Sequence, residues 1–206
     1  MPAEGARGAR RTPSQARSRA LVERIIAAAA RVFDERGYAA ATTNHVAEEA
    51  GVSIGSLYQY FASKDELLVA LAERHVAEAL PAVRAHVAEI EATRLPLEVT
   101  LRAFLALALR LNDSSKLHAV IHAEAERTPA IRAALSALDG ELVRFVAAQL
   151  DGAGSGCSDP VRRARLVVAA ADAAIHVVVL RLPPEERAGA VEDLADLMLR
   201  GLTRAA

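Results

Sequence analysis

The stretch "GVSIGSLYQYFASKDEL", from Gly51 to Leu67, decides the fold of this chain. It follows a segment at residues 43–50 whose apolar positions recur at helical spacing. Thr43 is placed to cap the start of that helix, and Gly51 is placed to end it, because glycine readily adopts the left-handed conformation found at helix ends. The sequence therefore predicts a short helix that stops where the quoted stretch begins.

Two further helix starts lie inside the quoted stretch. Ser53 is a favourable cap for a short helix over residues 54–60. Ser63 is placed to cap a longer helix, and Glu66 stands three residues later, which is capping-box spacing. Two short helices joined by a glycine-containing turn of about three to four residues predict a helix-turn-helix motif.

The second short helix has an apolar face and a polar face. Leu57 and Phe61 are four residues apart and predict the face that packs inward. The opposite face has small or polar residues that suit a close approach to base edges in a DNA groove, namely Ile54, Gly55, Ser56 and Gln59. Hydroxyl and ammonium groups nearby suit phosphate oxygens, and these belong to Thr43, Tyr58, Tyr60 and Lys64. The pattern therefore predicts a DNA-binding surface.

The longer segment "TTNHVAEEAGVSIGSLYQYFASKDELL", residues 42–68, closely resembles the signature of TetR-family transcriptional regulators. The resemblance extends upstream through "IIAAAARVFDERGY" at residues 25–38 and covers a quarter of the chain, residues 20–70. It has no gaps, which makes it specific. The matching positions are Thr42, Thr43, Val46, Ala47, Ala50, Gly51, Val52, Ser53, Gly55, Leu57, Tyr58, Tyr60, Phe61, Ser63, Lys64 and Leu67.

This resemblance implies an all-α fold, in which an N-terminal three-helix helix-turn-helix domain precedes a C-terminal helical domain for ligand binding and dimerisation. The expected division is a flexible basic arm at 1–17, a DNA-binding domain at 18–63 and an effector-binding and dimerisation domain at 64–206. The resemblance also places Asn44 and Ser53 at the DNA. It implies a repressor that binds a palindromic operator as a homodimer and is released by a small-molecule effector, with a transcriptional activator as an alternative.

The composition agrees with a helical chain. Of the 206 residues, 52% are hydrophobic but only 3% are aromatic, so alanine, leucine and valine must form most of the core. Alanine-rich segments with interspersed charges favour helices over strands. Further helices are predicted over residues 18–36, 64–92, 96–111, 116–126, 130–150, 160–181 and 184–203, with Pro81 as a kink or break.

Charge is distributed unevenly along the chain. Residues 1–64 carry nine Lys or Arg side chains against six Asp or Glu, although the whole chain has a net charge of −1. A basic first third is a modest indication of a polyanionic partner. The arginines of residues 1–17 either reach along DNA or only keep the tail solvated, and we favour the second interpretation.

The expected location is the cytoplasm, with no membrane partner. Cys157 is the single cysteine, so no internal disulfide can form. The N-terminus lacks the apolar segment of a secretory signal. The most apolar run, residues 166–180, is short for a membrane span and contains Asp172 and His176, so it is predicted to be a buried helix.

The last two helices are candidates for a dimer interface. Small residues at helical spacing over 160–181 permit close approach of another helix, and 184–203 has an apolar stripe. Two such helices from each subunit would form a four-helix interface, although they could also simply cover an intramolecular core. The expected interface residues are Leu166, Ala169, Ala170, Ala173, Ala174, Val177, Leu194, Leu197 and Met198.

The resemblance implies that residues 75–150 surround an effector. The candidate lining residues are Phe104, Leu105, Ala108, Leu117, Ile121, Leu142 and Phe145, and each of them is equally suited to an ordinary core. Because aromatic residues are scarce, an aliphatic or otherwise apolar effector is favoured over a flat aromatic cation.

His118 and His122 raise the question of a metal site. They stand four residues apart, which places both imidazoles on one helix face, and Glu126 continues that face. Asp172 or His176 could add a ligand from another helix. Histidine pairs at this spacing are common by chance, so polar pocket or surface histidines are the favoured interpretation. We therefore expect no metal and no cofactor, and keep a metal-responsive regulator as the alternative.

An enzyme and a helical interaction protein are the competing classes. Cys157 lies in a loop rich in glycine and serine and could in principle be a nucleophile, but no nucleophile elbow or phosphate-binding loop accompanies it. A protein that had lost DNA binding would have no need of Tyr58, Tyr60 and Lys64 together. The expected function is therefore a ligand-responsive transcriptional regulator and not an enzyme.

Overall fold

The computed structural model of this chain describes residues 13–113, 117–125, 127–152 and 159–203. Within these ranges the chain forms nine α-helices and one short 3₁₀ helix and contains no strand, which confirms the predicted all-α fold class. The chain divides into two compact units between Leu67 and Leu68. The sequence placed this division slightly earlier, between residues 63 and 64, where a long helix begins.

The first unit contains three helices and the start of a fourth. These are α1 (Pro13–Arg36), α2 (Thr43–Ala50), α3 (Ile54–Tyr58) and the first turn of α4 (Lys64–Thr93). Its centre is made of large apolar side chains that are almost completely buried, among them Ile25, Phe33, Val46 and Leu57. Each side chain of this kind stabilises the fold by about 1.5–3 kcal/mol relative to an exposed one. The first unit therefore has its own hydrophobic core, although it contains few aromatic residues.

The predicted extent of the basic arm, residues 1–17, is wrong at its end, where α1 begins. The helix begins at Pro13, so residues 13–17, which were assigned to a flexible arm, are helical. Proline is well tolerated in the first turn of a helix because its missing N–H would have no partner there, and its φ angle is already helical. Residues 1–12 of the predicted arm lie outside the described residues.

The cap of α2 also differs from the prediction by one residue. Thr42, not Thr43, is the N-cap, and its hydroxyl accepts a hydrogen bond of 3.3 Å from the backbone N–H of His45. Thr43 is the first helical residue, which frees its side chain for another contact. Gly51 ends the helix with φ of 63°, in the left-handed region expected of it.

The start of α4 is capped twice. The Ser63 hydroxyl accepts the backbone N–H of Glu66 at 3.2 Å, as predicted. The Glu66 carboxylate reaches the N–H of Ala62 at 2.7 Å, one residue before the group that a capping box would use. Pro81 lies inside α4, which continues to Thr93, so the proline does not end the helix.

The second unit is built from the rest of α4, five further α-helices and one 3₁₀ helix. These are α5 (Leu97–Asn112), α6 (Leu117–Ala125), α7 (Pro129–Gly152), α8 (Pro160–Val177), a 3₁₀ helix (Val179–Arg181) and α9 (Pro184–Thr203). Its core joins α5, α7, α8, the 3₁₀ helix and α9 through Leu101, Leu105, Ala147, Leu150, Ala164, Ile175, Val179, Val191, Ala195 and Leu202. Of the helices that the structure describes, none is both long enough and apolar enough to cross a membrane.

Candidate DNA-binding surface and effector cavity

Helix α3 presents a small polar surface to solvent. Its start is fixed by Ser53, whose hydroxyl accepts the N–H of Ser56 at 3.0 Å. Leu57 faces the core and is fully buried, whereas Ile54 and Gln59 are exposed. The helix ends at Tyr58 rather than at residue 60, and Gln59 is its C-cap. The structure therefore separates the two faces as the sequence predicted, on a helix two residues shorter.

Gly55 lies on the exposed side of α3 with open space beside it. A Cβ atom added there would meet only the Ser53 hydroxyl, at an ordinary contact distance of 3.9 Å. Its φ angle is not in the left-handed region, so neither backbone conformation nor packing within this unit requires glycine here. The absence of a side chain at this position keeps the surface open to an approaching partner.

Two tyrosines are held at the edge of this surface by hydrogen bonds. The Tyr58 hydroxyl lies 3.0 Å from Thr43 Oγ1, which ties α3 to α2. Ser18 on α1 donates a 3.1 Å hydrogen bond to the Tyr60 hydroxyl. Tyr60 accepts that bond and keeps its own proton free to donate. Both phenols remain well exposed, at 51% for Tyr58 and 37% for Tyr60, and Asn44 is exposed on α2.

Lys64 has a role that its sequence position did not reveal. Its ammonium group donates to the backbone carbonyls of Tyr38 at 2.7 Å and Ala41 at 3.1 Å. It also lies 4.3 Å from the centre of the Tyr38 ring, which packs edge-on against Phe33. Lys64 is therefore half-buried and holds the loop between α1 and α2, with one of its three protons left for another acceptor.

Helix α8 carries an apolar stripe that the described residues do not cover. Leu166 is 67% exposed and Val177 is 54% exposed, and the alanines between them on this side are also exposed. Leu197 on α9 is 68% exposed. Of the other residues expected at a dimer interface, Leu194 and Met198 pack partly against the core, and Ala174 is half-buried.

The second unit encloses a cavity of about 120 Å³ between α4, α5, α6, α7 and α8. Four of the seven predicted lining residues contribute to its wall, namely Phe104, Leu105, Ala108 and Leu142. Leu117, Ile121 and Phe145 do not; they are buried in the core, and the Phe145 ring packs against Phe104 with their centres 4.8 Å apart. Sequence periodicity identifies the buried face of a helix, but it does not separate core from cavity wall.

Part of the cavity wall is polar. His122 on α6 meets Asp172 and His176 on α8, where Nδ1 of each histidine lies 3.3 Å and 3.1 Å, respectively, from Asp172 Oδ1. The two imidazoles are stacked with their centres 3.6 Å apart. His176 Nδ1 is also 2.9 Å from the Asp172 backbone oxygen, while its Nε2 is buried without a hydrogen-bond partner.

Two more histidines lie beside this group. His75 on α4 is buried, and its ring centre is 4.3 Å from that of His118 and 6.4 Å from that of His122. His118 Nδ1 is 3.2 Å from the backbone oxygen of Asn112. The sequence singled out neither His75 nor Asp139, which also lines the cavity, because their partners lie on other helices.

The local environment shifts several pKa values. Burial, together with the neighbouring imidazoles, lowers the pKa of His75 to about 3, so this side chain is neutral near pH 7. Burial would raise the pKa of Asp172, but hydrogen bonds with His122 and His176 outweigh it and the pKa lies below its usual value. Burial and the charge of Asp172 raise the pKa of Asp139.

These contacts correct the candidate metal ligands. The groups brought together are His122, Asp172 and His176, whereas His118 turns to Asn112 and His75. Glu126 and the loop cysteine Cys157 lie outside the described residues. The spacing of His118 and His122 would allow both to bind one metal ion, but tertiary packing brings only His122 to Asp172 on α8.

The chain combines a helix-turn-helix unit, with an exposed polar α3, and a helical unit that contains a cavity, which is the arrangement expected of a transcriptional regulator. Comparison with protein families agrees with this class. Residues 25–71 match the family described as bacterial regulatory proteins, tetR family, and residues 96–202 match the tetracyclin repressor-like C-terminal domain. The chain belongs to the tetR family of bacterial regulatory proteins.

Two individual relatives match only part of the chain. The HTH-type transcriptional activator FasR of Mycolicibacterium smegmatis is 39% identical over 103 residues, which are 50% of this chain and 45% of FasR. The HTH-type transcriptional regulator HbdR of Aromatoleum sp. (strain CIB) is 50% identical over 44 residues, which are 21% of this chain and 19% of HbdR. The matched stretches therefore span less than half the length of these relatives.

A solved structure confirms the fold over most of the chain. The transcriptional regulator FadR from Bacillus subtilis, solved in complex with stearoyl-CoA, superposes with a TM-score of 0.72 over 87% of this chain and 98% of FadR. The two sequences are 19% identical. At this identity the likeness shows a shared fold.

Proposed function

We propose that this protein binds a palindromic DNA operator as a homodimer and represses transcription, and that a small apolar effector bound in the second unit releases it. The observation that carries the proposal is the open surface around Gly55. A helix that exposes a glycine with free space beside it, next to a capped N-terminus and two fixed phenols, suits close approach to a DNA groove.

We assign the phosphate contacts to hydroxyl groups that hydrogen bonds already hold in place at the edge of α3. Tyr58, Tyr60 and Thr43 present hydroxyls at the edge of α3, and these would set the orientation of the helix on DNA. Ile54 and Gln59 are exposed on α3 and its C-cap, and in a groove they would tune which DNA sequence is preferred. Asn44 and the third proton of Lys64 would add further backbone contacts.

A dimer is needed because a helix of five residues reads few bases. The exposed stripe of α8, with Leu197 of α9, is the proposed contact between two copies. Exposed leucine and valine separated by small alanines permit close packing of two helices and remove apolar surface from water. Two copies of α3 would then read half-sites separated by one turn of DNA, about 34–36 Å.

The effector is proposed to have an aliphatic part. Leucine, valine and alanine side chains from four helices form most of the cavity wall, together with the phenyl ring of Phe104. The structurally similar FadR was solved with an acyl-CoA, which supports the same chemical class here. A volume of about 120 Å³ is below the range of about 300–1,000 Å³ typical of ligand pockets. An acyl chain would therefore have to widen the cavity.

Widening of the cavity by the effector would also provide a mechanism that releases the protein from DNA. α4 begins with Lys64 in the first unit and continues without interruption through Ala79 and Val83, which line the cavity in the second. Movement of α4 on effector binding would change the position of the helix-turn-helix unit. A coupling free energy of about 1–3 kcal/mol is enough to lower operator affinity by one or two orders of magnitude.

Selection of bound sequences from random double-stranded DNA by the purified protein tests the DNA-binding proposal. We expect enrichment of a palindromic site, and the absence of any enriched sequence would refute the proposal. Acyl-CoAs of increasing chain length are then added to the complex. Release of DNA supports the effector class, whereas tighter binding in their presence would favour an activator, the activity that the name of the relative FasR prints.

A further inference from the structure

Three side chains of the second unit lie close enough to share one ion. His122 on α6 and Asp172 and His176 on α8 each offer a ligand atom, and these atoms all lie within 4.8 Å of one another. We propose that these three residues, the His–Asp–His triad, form a binding site for one divalent transition-metal ion of the zinc class. This inference concerns the second unit alone and does not depend on whether the protein binds DNA.

The donor set selects the class of ion. Two imidazole nitrogens and one carboxylate oxygen are ligands that suit Zn²⁺ and neighbouring first-row transition ions. Mg²⁺ and Ca²⁺ prefer oxygen ligands and would use only the carboxylate here. A site with two histidines and one carboxylate also leaves one coordination position free, as in zinc sites that bind a water or a ligand.

The distances between donor atoms are close to those of a metal site. Ligands about 2.0–2.1 Å from a tetrahedral zinc ion lie about 3.3–3.4 Å from one another. Asp172 Oδ1 lies 3.3 Å from His122 Nδ1 and 3.1 Å from His176 Nδ1. These are also hydrogen-bond distances, so the carboxylate holds both imidazoles beside it, and the rings must turn to direct their free nitrogens at an ion.

A second observation concerns which ring nitrogen of His176 is available to an ion. His176 is only 8% exposed, and its Nδ1 lies 2.9 Å from the backbone oxygen of Asp172, so Nδ1 is the nitrogen that carries the proton. Nε2 then carries the lone pair, and it is buried with no hydrogen-bond partner in the protein. A histidine that binds a metal typically donates its other ring N–H to a carbonyl in this way. His122, Asp172 and His176 all line the cavity, so an ion held by the triad would lie at the cavity wall.

The surroundings permit a cation to enter and remain. The side chain of Asp172 is 42% exposed, which gives a path from solvent to the triad. Asp139 also lines the cavity and adds a second carboxyl group near Asp172. None of the described residues that line this cavity is a lysine or an arginine, although Arg165 lines a neighbouring pocket together with both carboxyl groups.

Direct titration of the full-length protein tests the site. The affinity tag is removed, bound metal is stripped with a chelator, and Zn²⁺ is titrated in competition with a chromogenic chelator near neutral pH. Co²⁺ is used in parallel because its visible spectrum reports the coordination geometry. The variants are His122→Gln and Asp172→Asn, and the matched control is His118→Gln, one turn earlier on α6. Circular dichroism verifies that each variant is helical.

We expect one ion per chain, a visible Co²⁺ spectrum of low coordination number, and a higher melting temperature with Zn²⁺ because the ion joins α6 to α8. His122→Gln and Asp172→Asn should each lower the affinity by about tenfold or more, with His118→Gln unchanged. The proposal is wrong if folded wild-type protein binds no ion. It is also wrong if the two triad variants bind as tightly as wild type, or if the control loses the ion as they do.

Discussion

The Tyr58 hydroxyl on α3 and Thr43 Oγ1 on α2 lie 3.0 Å apart and join the two helices of the helix-turn-helix motif. Thr43 can make this contact because Thr42, and not Thr43, caps α2. The pair therefore fixes the phenol at the edge of the proposed DNA surface while leaving half of it exposed.

Replacing Tyr58 with phenylalanine should weaken DNA binding equally for all sequences. The variant loses one hydroxyl that would donate to phosphate, and it leaves the Thr43 hydroxyl without its partner. Because no charge is removed, the dependence of affinity on salt concentration should be unchanged. Fluorescence anisotropy at several salt concentrations, on the selected site and on an unrelated duplex, measures both effects. A change in sequence preference would contradict a phosphate role.

Gly55→Ala should lower DNA affinity without lowering the stability of the fold. The added methyl group meets only the Ser53 hydroxyl at 3.9 Å, and alanine is favoured over glycine in a helix by up to about 1 kcal/mol, so thermal stability should be equal or higher. Operator affinity should nevertheless fall, because the methyl group fills the space proposed for the groove.

Gly189→Ala on α9 is the matched control for this substitution. No atom lies within 4 Å of its added Cβ, so it should also raise stability. It should leave operator affinity unchanged. Equal affinity of Gly55→Ala and wild type would show that α3 does not approach DNA closely at this position.

Lys64→Met should lower both stability and DNA affinity. The two carbonyls of Tyr38 and Ala41 lose a charged donor, which should reduce the free energy of unfolding by about 1–2 kcal/mol. If the remaining proton also contacts a phosphate, the salt slope of DNA binding should fall by about one. Urea denaturation and salt titration measure the two quantities separately. If stability falls but the salt slope of DNA binding is unchanged, Lys64 stabilises the fold and does not contact a phosphate.

Leu166→Glu should disrupt the homodimer without unfolding the chain. Leu166 is 67% exposed in the single chain, so glutamate is tolerated there, but it would bury a charge at a dimer contact. Val161→Glu is the control, since Val161 is 49% exposed on the same helix and lies on a different side of it. Sedimentation velocity should show monomers for the first variant and dimers for the second. Dimers in both cases would place the interface elsewhere.

Ala108→Leu should remove the effector response while DNA binding persists. Ala108 lines the cavity of about 120 Å³, and a leucine side chain would occupy much of that space. The cavity provides room for the larger apolar side chain, so the fold should not be destabilised. The acyl-CoA concentration needed to release DNA should rise by about tenfold or more, equivalent to about 1.4 kcal/mol of lost binding. Unchanged release would show that the effector binds outside this cavity.

The local features of the fold could be predicted because each depends on neighbours within four or five residues. Gly51 ends α2, Ser53 and Ser63 cap the next two helices, and Leu57 faces inward, all as the sequence indicated. The helix bounds in the second unit are close to those predicted from prolines and periodicity. The small errors, at Thr43, at the start of α1 and at the end of α3, are shifts of one to a few residues in helix bounds.

Sequence by itself therefore determined the helices, their inward faces and the polar surface of α3, since capping, left-handed glycine and helical periodicity act over one or two turns. Tertiary structure alone decided that Lys64 turns inward to the loop before α2. It also decided that Phe145 is core rather than cavity wall, and that His122 contacts Asp172 whereas His118 contacts Asn112. These contacts join residues that are far apart in the chain, so they depend on how helices pack, which local patterns do not encode.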